Sequence, residues 1–122
     1  MLNRRLIGAN GESRAIAFLK ERKFRIVERN YRTKVGEIDI IAERDGLVTF
    51  VEVKTRRSKS YGSPEEAIDK KKRKRIIKAA KYYLVSHNLY DEVDVRFDVL
   101  SLTKKNGVFQ IEYFENAFRD EG

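Results

Sequence analysis

Asp45-Gly46 does more than any other feature to limit what this chain can fold into. It stands between Gly36–Arg44 and Leu47–Lys54, two runs rich in β-branched and aromatic residues. Asp-Gly in that setting signals a hairpin, because a type I′ turn needs positive φ at both central residues. A two-residue turn also fixes register. Arg44 then faces Leu47, Asp39 falls opposite Glu52, and Glu37 falls opposite Lys54. Strand alternation puts Glu37, Asp39, Glu52 and Lys54 on one face, and Ile38, Ile40, Ala42, Val51 and Val53 on the other as core.

Directly opposed side chains have Cβ atoms roughly 4.5–5.5 Å apart, and like charges so placed destabilise a sheet. Setting Asp39 against Glu52 therefore calls for a positive charge between them. Lys54 is one source. A hard divalent cation such as Mg²⁺, which takes one or two carboxylates plus waters and phosphate oxygens, is another. The plain alternative is a surface hairpin with a Glu37–Lys54 ion pair and a tolerated repulsion. A slip of one residue would move all of these side chains to the other face.

At 122 residues the chain is sized for one domain, with a core over about 4–118 and a short C-terminal tail. It has no cysteine, so disulfides, thiolate metal sites and thiol nucleophiles are excluded, which fits a reducing cytoplasm. His87 is the only histidine, which removes His-based triads and multi-histidine metal sites. No apolar run reaches transmembrane length and the N-terminus lacks a signal-peptide core, so no membrane partner is expected. Lysine and arginine number 27 against 19 acids, a net charge of +8 that favours a polyanionic partner, most often nucleic acid.

Helical spacing over Asn3–Arg22 places Glu12 in line with Ala15, Ile16 and Leu19, so this carboxylate either reaches solvent at the stripe's edge or aims at a polar site beneath. Lys23–Tyr31 reads as a strand, and Arg32-Thr33-Lys34 as a basic turn. After Lys54 comes a polar loop carrying Arg56, Arg57, Lys59 and Tyr61. Such a loop is either solvated or contacts phosphates, with Tyr61 able to stack on a base or sugar. Ser63-Pro64-Glu65-Glu66 predicts a helix start with a capping box, the helix running to about Ser86. Lys72 falls in its apolar stripe between Ile68 and Ile76, where it either snorkels or presents an ammonium to the hairpin acids. Lys71, Lys74, Arg75 and Lys78 share the outer side, read as a solvated face, and His87 is read as a helix-end residue. Asp94–Leu102 is a strand on which Arg96 pairs with Asp98 or a neighbouring strand. Lys104-Lys105-Asn106-Gly107 is a second hairpin turn, Val108–Phe114 an edge strand, and Glu115–Gly122 a tail anchored by Phe118. The expected fold class is α/β, with a mixed sheet flanked by helices in the order α-β-β-β-α-β-β.

Asp39 followed by Glu52-Val53-Lys54 on adjacent strands, after a helix bearing Glu12, resembles the PD-(D/E)-x-K nuclease superfamily, and within it the Holliday-junction resolvases. The similarity is closer still to the small bacterial YraN family, expected to share that endonuclease-like fold. Its blocks stand here as Gly8-Ala9-Asn10-Gly11-Glu12 with Ala15, Asn30, Gly36-Glu37-Ile38-Asp39 and Phe50-Val51-Glu52-Val53-Lys54-Thr55-Arg56. They continue as Tyr61-Gly62-Ser63-Pro64-Glu65-Glu66-Ala67 with Lys72, and Arg96-Phe97-Asp98-Val99, so the resemblance covers nearly the whole chain. Ile38 stands where the superfamily name has proline.

The resemblance implies a restriction-endonuclease-like sheet and a catalytic set of Glu12, Asp39, Glu52 and Lys54. Asp39 and Glu52, with the Val53 carbonyl, would bind Mg²⁺, or Mn²⁺ in its place. Lys54 would position or deprotonate the attacking water, and Glu12 matches the helix glutamate that supplements resolvase sites. Candidate nucleic-acid contacts are Arg32, Lys34, Arg56, Arg57, Lys59, Tyr61 and Lys72, with Glu37, Arg96 and Asp98 as accessories. The function so implied is Mg²⁺-dependent hydrolysis of DNA phosphodiester bonds, selective for branched DNA and carried out by a homodimer. Two alternatives stand beside it: a nucleic-acid-binding module of the same fold that does not cleave, and a protein-interaction scaffold.

Overall fold

The computed structural model describes residues 4–56 and 68–121. Its elements are α1 (Arg4–Glu21), β1 (Arg25–Arg32), β2 (Glu37–Arg44), β3 (Leu47–Arg56), α2 (Lys70–Ser86), β4 (Asp94–Lys105) and β5 (Val108–Phe118). The order is the expected α-β-β-β-α-β-β. The five strands form one sheet in the order β1-β2-β3-β4-β5. Only β3 and β4 are parallel, so the chain must cross over between them, and α2 makes that crossing. Among the described residues, no helix is long and apolar enough to cross a membrane.

Each face of the sheet carries one helix. Ala15 and Leu19 of α1 pack with Ile40, Ala42, Val51, Leu100 and Leu102. Ile76, Ala79, Ala80, Tyr83 and Leu84 of α2 pack with Ile41, Val48, Phe50, Phe97 and Val99 on the opposite face. With both faces covered, β3 is buried at five consecutive positions from Val48 to Glu52. Such a strand shows no polar face in its burial even where its sequence alternates.

The Asp45-Gly46 turn forms as expected, with φ of 49° at Asp45 and 80° at Gly46, and Arg44 faces Leu47. The β2–β3 ladder then ends at Ile40–Val51, one pair short of Asp39–Glu52. The expected Glu37–Lys54 pairing is replaced by a Glu37 contact to β1, where Arg32 Nε lies 3.4 Å from Glu37 Oε1. The core face expected of β2 divides as well. Ile38 joins the α2 layer, whereas Ile40 and Ala42 join the α1 layer. Alternation therefore breaks at Asp39, beside Asn30 of β1, which has a positive φ of 51°.

Two further boundaries differ from expectation. Ile68 and Asp69 are not helical, so no continuous helix runs from Ser63 to Ser86. Asp69 is the N-cap instead, its carboxylate accepting the Lys72 N–H at 2.8 Å. The Ser63-Pro64-Glu65-Glu66 capping box lies outside the described residues. At the C-terminus β5 continues through Glu115–Phe118 past a register shift against Phe97–Val99, where the expectation was a tail. Asn116 has a φ of 54° there, and its N–H donates to Asp98 Oδ1 at 2.8 Å. The shift thus aims a backbone donor at a buried carboxylate.

Candidate active site

The strands β2 and β3 part at Asp39, and the candidate residues gather in the fork. One oxygen of Asp39 accepts the Val53 N–H at 2.8 Å, taking the place of a backbone acceptor on β2. Glu52, only 6% exposed, faces α2, where Lys72 Nζ sits 2.7 Å from Glu52 Oε1. The ammonium expected either to snorkel or to meet the hairpin acids does the latter. Lys54, two residues along β3, is half-buried beside Lys72.

The electrostatics follow from this crowding. Burial first, and the Glu52 charge second, push the Asp39 carboxyl up from 3.8 to about 6, against the opposing pull of the Val53 amide and Lys72. Burial first, then the Lys72 charge, lowers the Lys54 ammonium from the usual lysine value. Lys72 goes the other way. Burial pulls it down, but the hydrogen bond and charge of Glu52 outweigh that and hold its proton more tightly. Two acids and two lysines therefore share a site in which Asp39 is more readily protonated, and Lys54 more readily deprotonated, than in water.

Glu12 approaches Asp39 from the α1 side. Together with Val53 and Thr55 the two carboxylates line a cavity of about 140 Å³. Asn30 Nδ2 donates to Glu12 Oε1 at 3.0 Å, and Arg29 Nε lies 3.6 Å from the same oxygen. Gly11 lets the helix come this close, since a Cβ there would stand 3.0 Å from Thr55 Oγ1. The polar contact under the helix, one of the two readings of Glu12, is the one found.

Among the described residues, no group of three or more His, Cys, Asp or Glu side chains could hold a metal ion. Asp39 and Glu52 supply two carboxylates, which matches the way Mg²⁺ binds through one or two carboxylates while keeping waters and phosphate oxygens. The mutual repulsion of the acids, offset here by Lys72, is what a cation between them would relieve.

The remaining candidates lie elsewhere. Arg32, Lys34 and Glu37 line an open groove against α2. Arg56 ends β3 and is half-buried. Arg57, Lys59 and Tyr61 lie outside the described residues. Arg96 and Asp98 belong to a separate buried network: Arg96 Nε donates to Asp98 Oδ1 at 2.9 Å, and Thr49 Oγ1 to Asp98 Oδ2 at 2.7 Å. Tyr113 also donates to that carboxylate. The Arg96–Asp98 pairing was expected, but Thr49 and Tyr113 were missed because nothing in their own segments marks them as partners. Lys71, Lys74, Arg75 and Lys78 are all exposed, as expected of a solvated face, and all four line the groove opposite Arg32 and Lys34.

Residues 11–102 match the profile of the family described as "Uncharacterised protein family UPF0102". A UPF0102 protein of Persephonella marina is 44% identical over 111 residues, covering 91% of each chain. One of Desulforapulum autotrophicum is 45% identical over 115 residues, covering 94% of each. One of Dictyoglomus thermophilum is 44% identical over 119 residues, covering 96% of this chain and all of the relative.

Proposed function

The chain belongs to the UPF0102 family, the YraN family of the sequence resemblance, and from the geometry of its site we propose that it is a Mg²⁺-dependent nuclease hydrolysing DNA phosphodiester bonds. The observation that carries this reading is the fork itself, where Asp39 and Glu52 are held together, one of them pushed up to about 6, under two lysines. A fold has little reason to bury two repelling carboxylates unless they bind something cationic.

In this reading Asp39 and Glu52 hold the metal, with the Val53 carbonyl within the same stretch of β3. Bound Mg²⁺, or Mn²⁺ in its place, would lower the pKa of a coordinated water and neutralise charge on the phosphoryl oxygens. Lys54, with its proton loosened by burial and Lys72, would take a proton from the attacking water or give one to the leaving oxygen. Lys72 balances the acids and is free to turn toward a phosphate once a cation replaces it at Glu52. Glu12, steadied by Asn30, supplements the negative charge from the α1 side.

The test is cleavage of branched, flapped and single-stranded DNA in Mg²⁺ and Mn²⁺. Asp39→Ala and Lys54→Ala should each lower the rate by about 10²–10⁴-fold while DNA binding persists. Undiminished cleavage by either rigorously purified variant would remove that residue from the mechanism. Preference for four-way junctions, with a dimer in sedimentation, would extend the reading to a resolvase-like activity.

One observation favours a second reading. Lys72 Nζ, 2.7 Å from Glu52 Oε1, already gives that carboxylate a cationic partner. A binding module with an internal counter-ion would look the same. It would bind DNA with a steep salt dependence and give no product with any divalent metal.

A further inference from the structure

Between the β1–β2 turn and the outer side of α2 lies an open groove of about 680 Å³. One wall carries Arg32 and Lys34, and the other carries Lys71, Lys74, Arg75 and Lys78. The spacing i, i+3, i+4, i+7 keeps the helix cations in one row about 10 Å long. Like charges at this spacing repel, so the row costs the helix stability in the absence of an anion. Among the described residues the one carboxylate in the lining is Glu37, and Arg32 stands 3.4 Å from it.

The walls are held in place by the fold. Thr33 Oγ1 accepts the Val35 and Gly36 N–H groups at 3.1 and 3.0 Å and donates to Gly36 O at 3.0 Å, which locks the turn. Gly36 seats that turn on the helix, since a Cβ there would stand 2.6 Å from Arg75 O. The close seating of the turn on α2 therefore depends on position 36 having no side chain.

Two features say what it would hold. Among the described residues no aromatic side chain lines it, whereas grooves for single-stranded nucleic acid combine positive charge with aromatic platforms for unpaired bases. A polyanion with its bases paired inward needs no such platform. Both walls of the groove also carry residues that are close in sequence to the acidic fork. Lys71 precedes Lys72, which holds Glu52, and Glu37 lies two residues before Asp39 on β2.

We propose that this groove binds the sugar-phosphate backbone of duplex DNA without reading its sequence, and so leads one strand of a duplex to the Asp39–Glu52 fork. The inference rests on the reading of the partner as nucleic acid, but not on cleavage.

The test is fluorescence anisotropy of a labelled duplex in EDTA across 50–200 mM salt, where no metal-dependent cleavage can occur. Replacing Lys71, Lys74 and Lys78 by alanine should flatten the plot of log affinity against log salt by about three units, roughly one per lysine. Over a fourfold salt range, the wild type would then lose about 40-fold more affinity than the variant. Lys34→Glu, on the opposite wall, should weaken binding independently. Lys104→Ala/Lys105→Ala, at the β4–β5 hairpin on the far edge of the sheet from β1, should leave the slope unchanged. Circular dichroism checks that each variant is folded.

The proposal is overturned if the hairpin control weakens binding as much as the groove variant, if a poly-dT strand binds more tightly than the duplex, or if the duplex does not bind. Groove-dependent binding without cleavage would leave this proposal standing and the nuclease reading fallen. Cleavage indifferent to the groove would do the reverse.

Discussion

Asp39→Asn should make the protein more stable above neutral pH. The site holds the Asp39 carboxyl at about 6 against an ordinary value of 3.8. A difference of about two pK units is worth about 3 kcal/mol between the two protonation states. The direction follows from proton linkage. Between 3.8 and about 6 the folded chain binds a proton that the unfolded chain has lost, so stability falls as pH rises through that window. Below the window both states are protonated and the penalty vanishes; above it the penalty is complete. Asparagine keeps a carbonyl oxygen to accept the Val53 N–H and removes the charge facing Glu52. The variant should therefore gain about 3 kcal/mol over the wild type at pH 8, as an upper value, and only about 1 kcal/mol at pH 4.5. For a chain of this length that is a rise in melting temperature of about 12 °C at pH 8. Urea unfolding at pH 4.5, 6 and 8, in EDTA, measures the difference directly. No gain at pH 8, or a gain independent of pH, would refute the idea that Asp39 is held charged at a cost to the fold. Added Mg²⁺ should then stabilise the wild type but not Asp39→Asn, because ligand binding to the folded state shifts its stability.

Other substitutions read other parts of the structure. Arg96→Met leaves the fully buried Asp98 without its guanidinium and should cost about 3–5 kcal/mol in urea unfolding, with Arg96→Met/Asp98→Asn recovering part of the loss. A cost below about 1 kcal/mol would mean that Thr49, Tyr113 and the Asn116 amide suffice to hold the carboxylate. Gly36→Ala forces the turn away from Arg75 O and should cost about 1–3 kcal/mol by thermal melting, together with weaker duplex binding. Lys72→Met should destabilise the metal-free protein at pH 8 by about 1–3 kcal/mol, because Glu52 loses its charged partner. The same change should tighten Mg²⁺ binding in a calorimeter, and weaker binding would show that Lys72 supports the metal site instead of competing with it.

What could be read from the sequence was whatever depended on short-range rules. The Asp45-Gly46 turn set a register that the structure keeps from Arg44–Leu47 to Ile40–Val51, and with it the neighbourhood of Asp39 and Glu52. His87 sits at the end of α2, as its position after the apolar stripe suggested. The failures are of a different kind. Opposed acids do not remain in a regular ladder, so the pairing stops before Asp39 and Glu37 turns to Arg32. The period-2 pattern of β2 could not reveal the break between Ile38 and Ile40, because both residues are aliphatic and either layer accepts them. The extension of β5 past Phe114 depends on Asn116 adopting a positive φ to reach Asp98, a partner on another strand. The groove was hidden for the same reason: its two walls are more than thirty residues apart, and each alone looks like an ordinary solvated cation cluster.

The lysine that meets Glu52 arrives there through topology. Because β3 and β4 are parallel, the chain must return across the sheet before β4 can begin, and α2 is that return. The first turn of α2 is fixed by Asp69, whose carboxylate caps the Lys72 amide, so the residue that the cap anchors is also the one that reaches Glu52. A shift of one residue in the helix start would exchange Lys72 for Lys71 or Arg73 and carry the ammonium away from the fork. Asp69 is thus a positioning residue for the acidic pair, acting through the helix and touching neither acid. Asp69→Ala should cost about 1 kcal/mol of stability as a lost cap. It should also reproduce part of the effect of Lys72→Met on Mg²⁺ affinity, whereas a lost cap with unchanged Mg²⁺ binding would show that the Lys72–Glu52 contact holds the helix in place by itself.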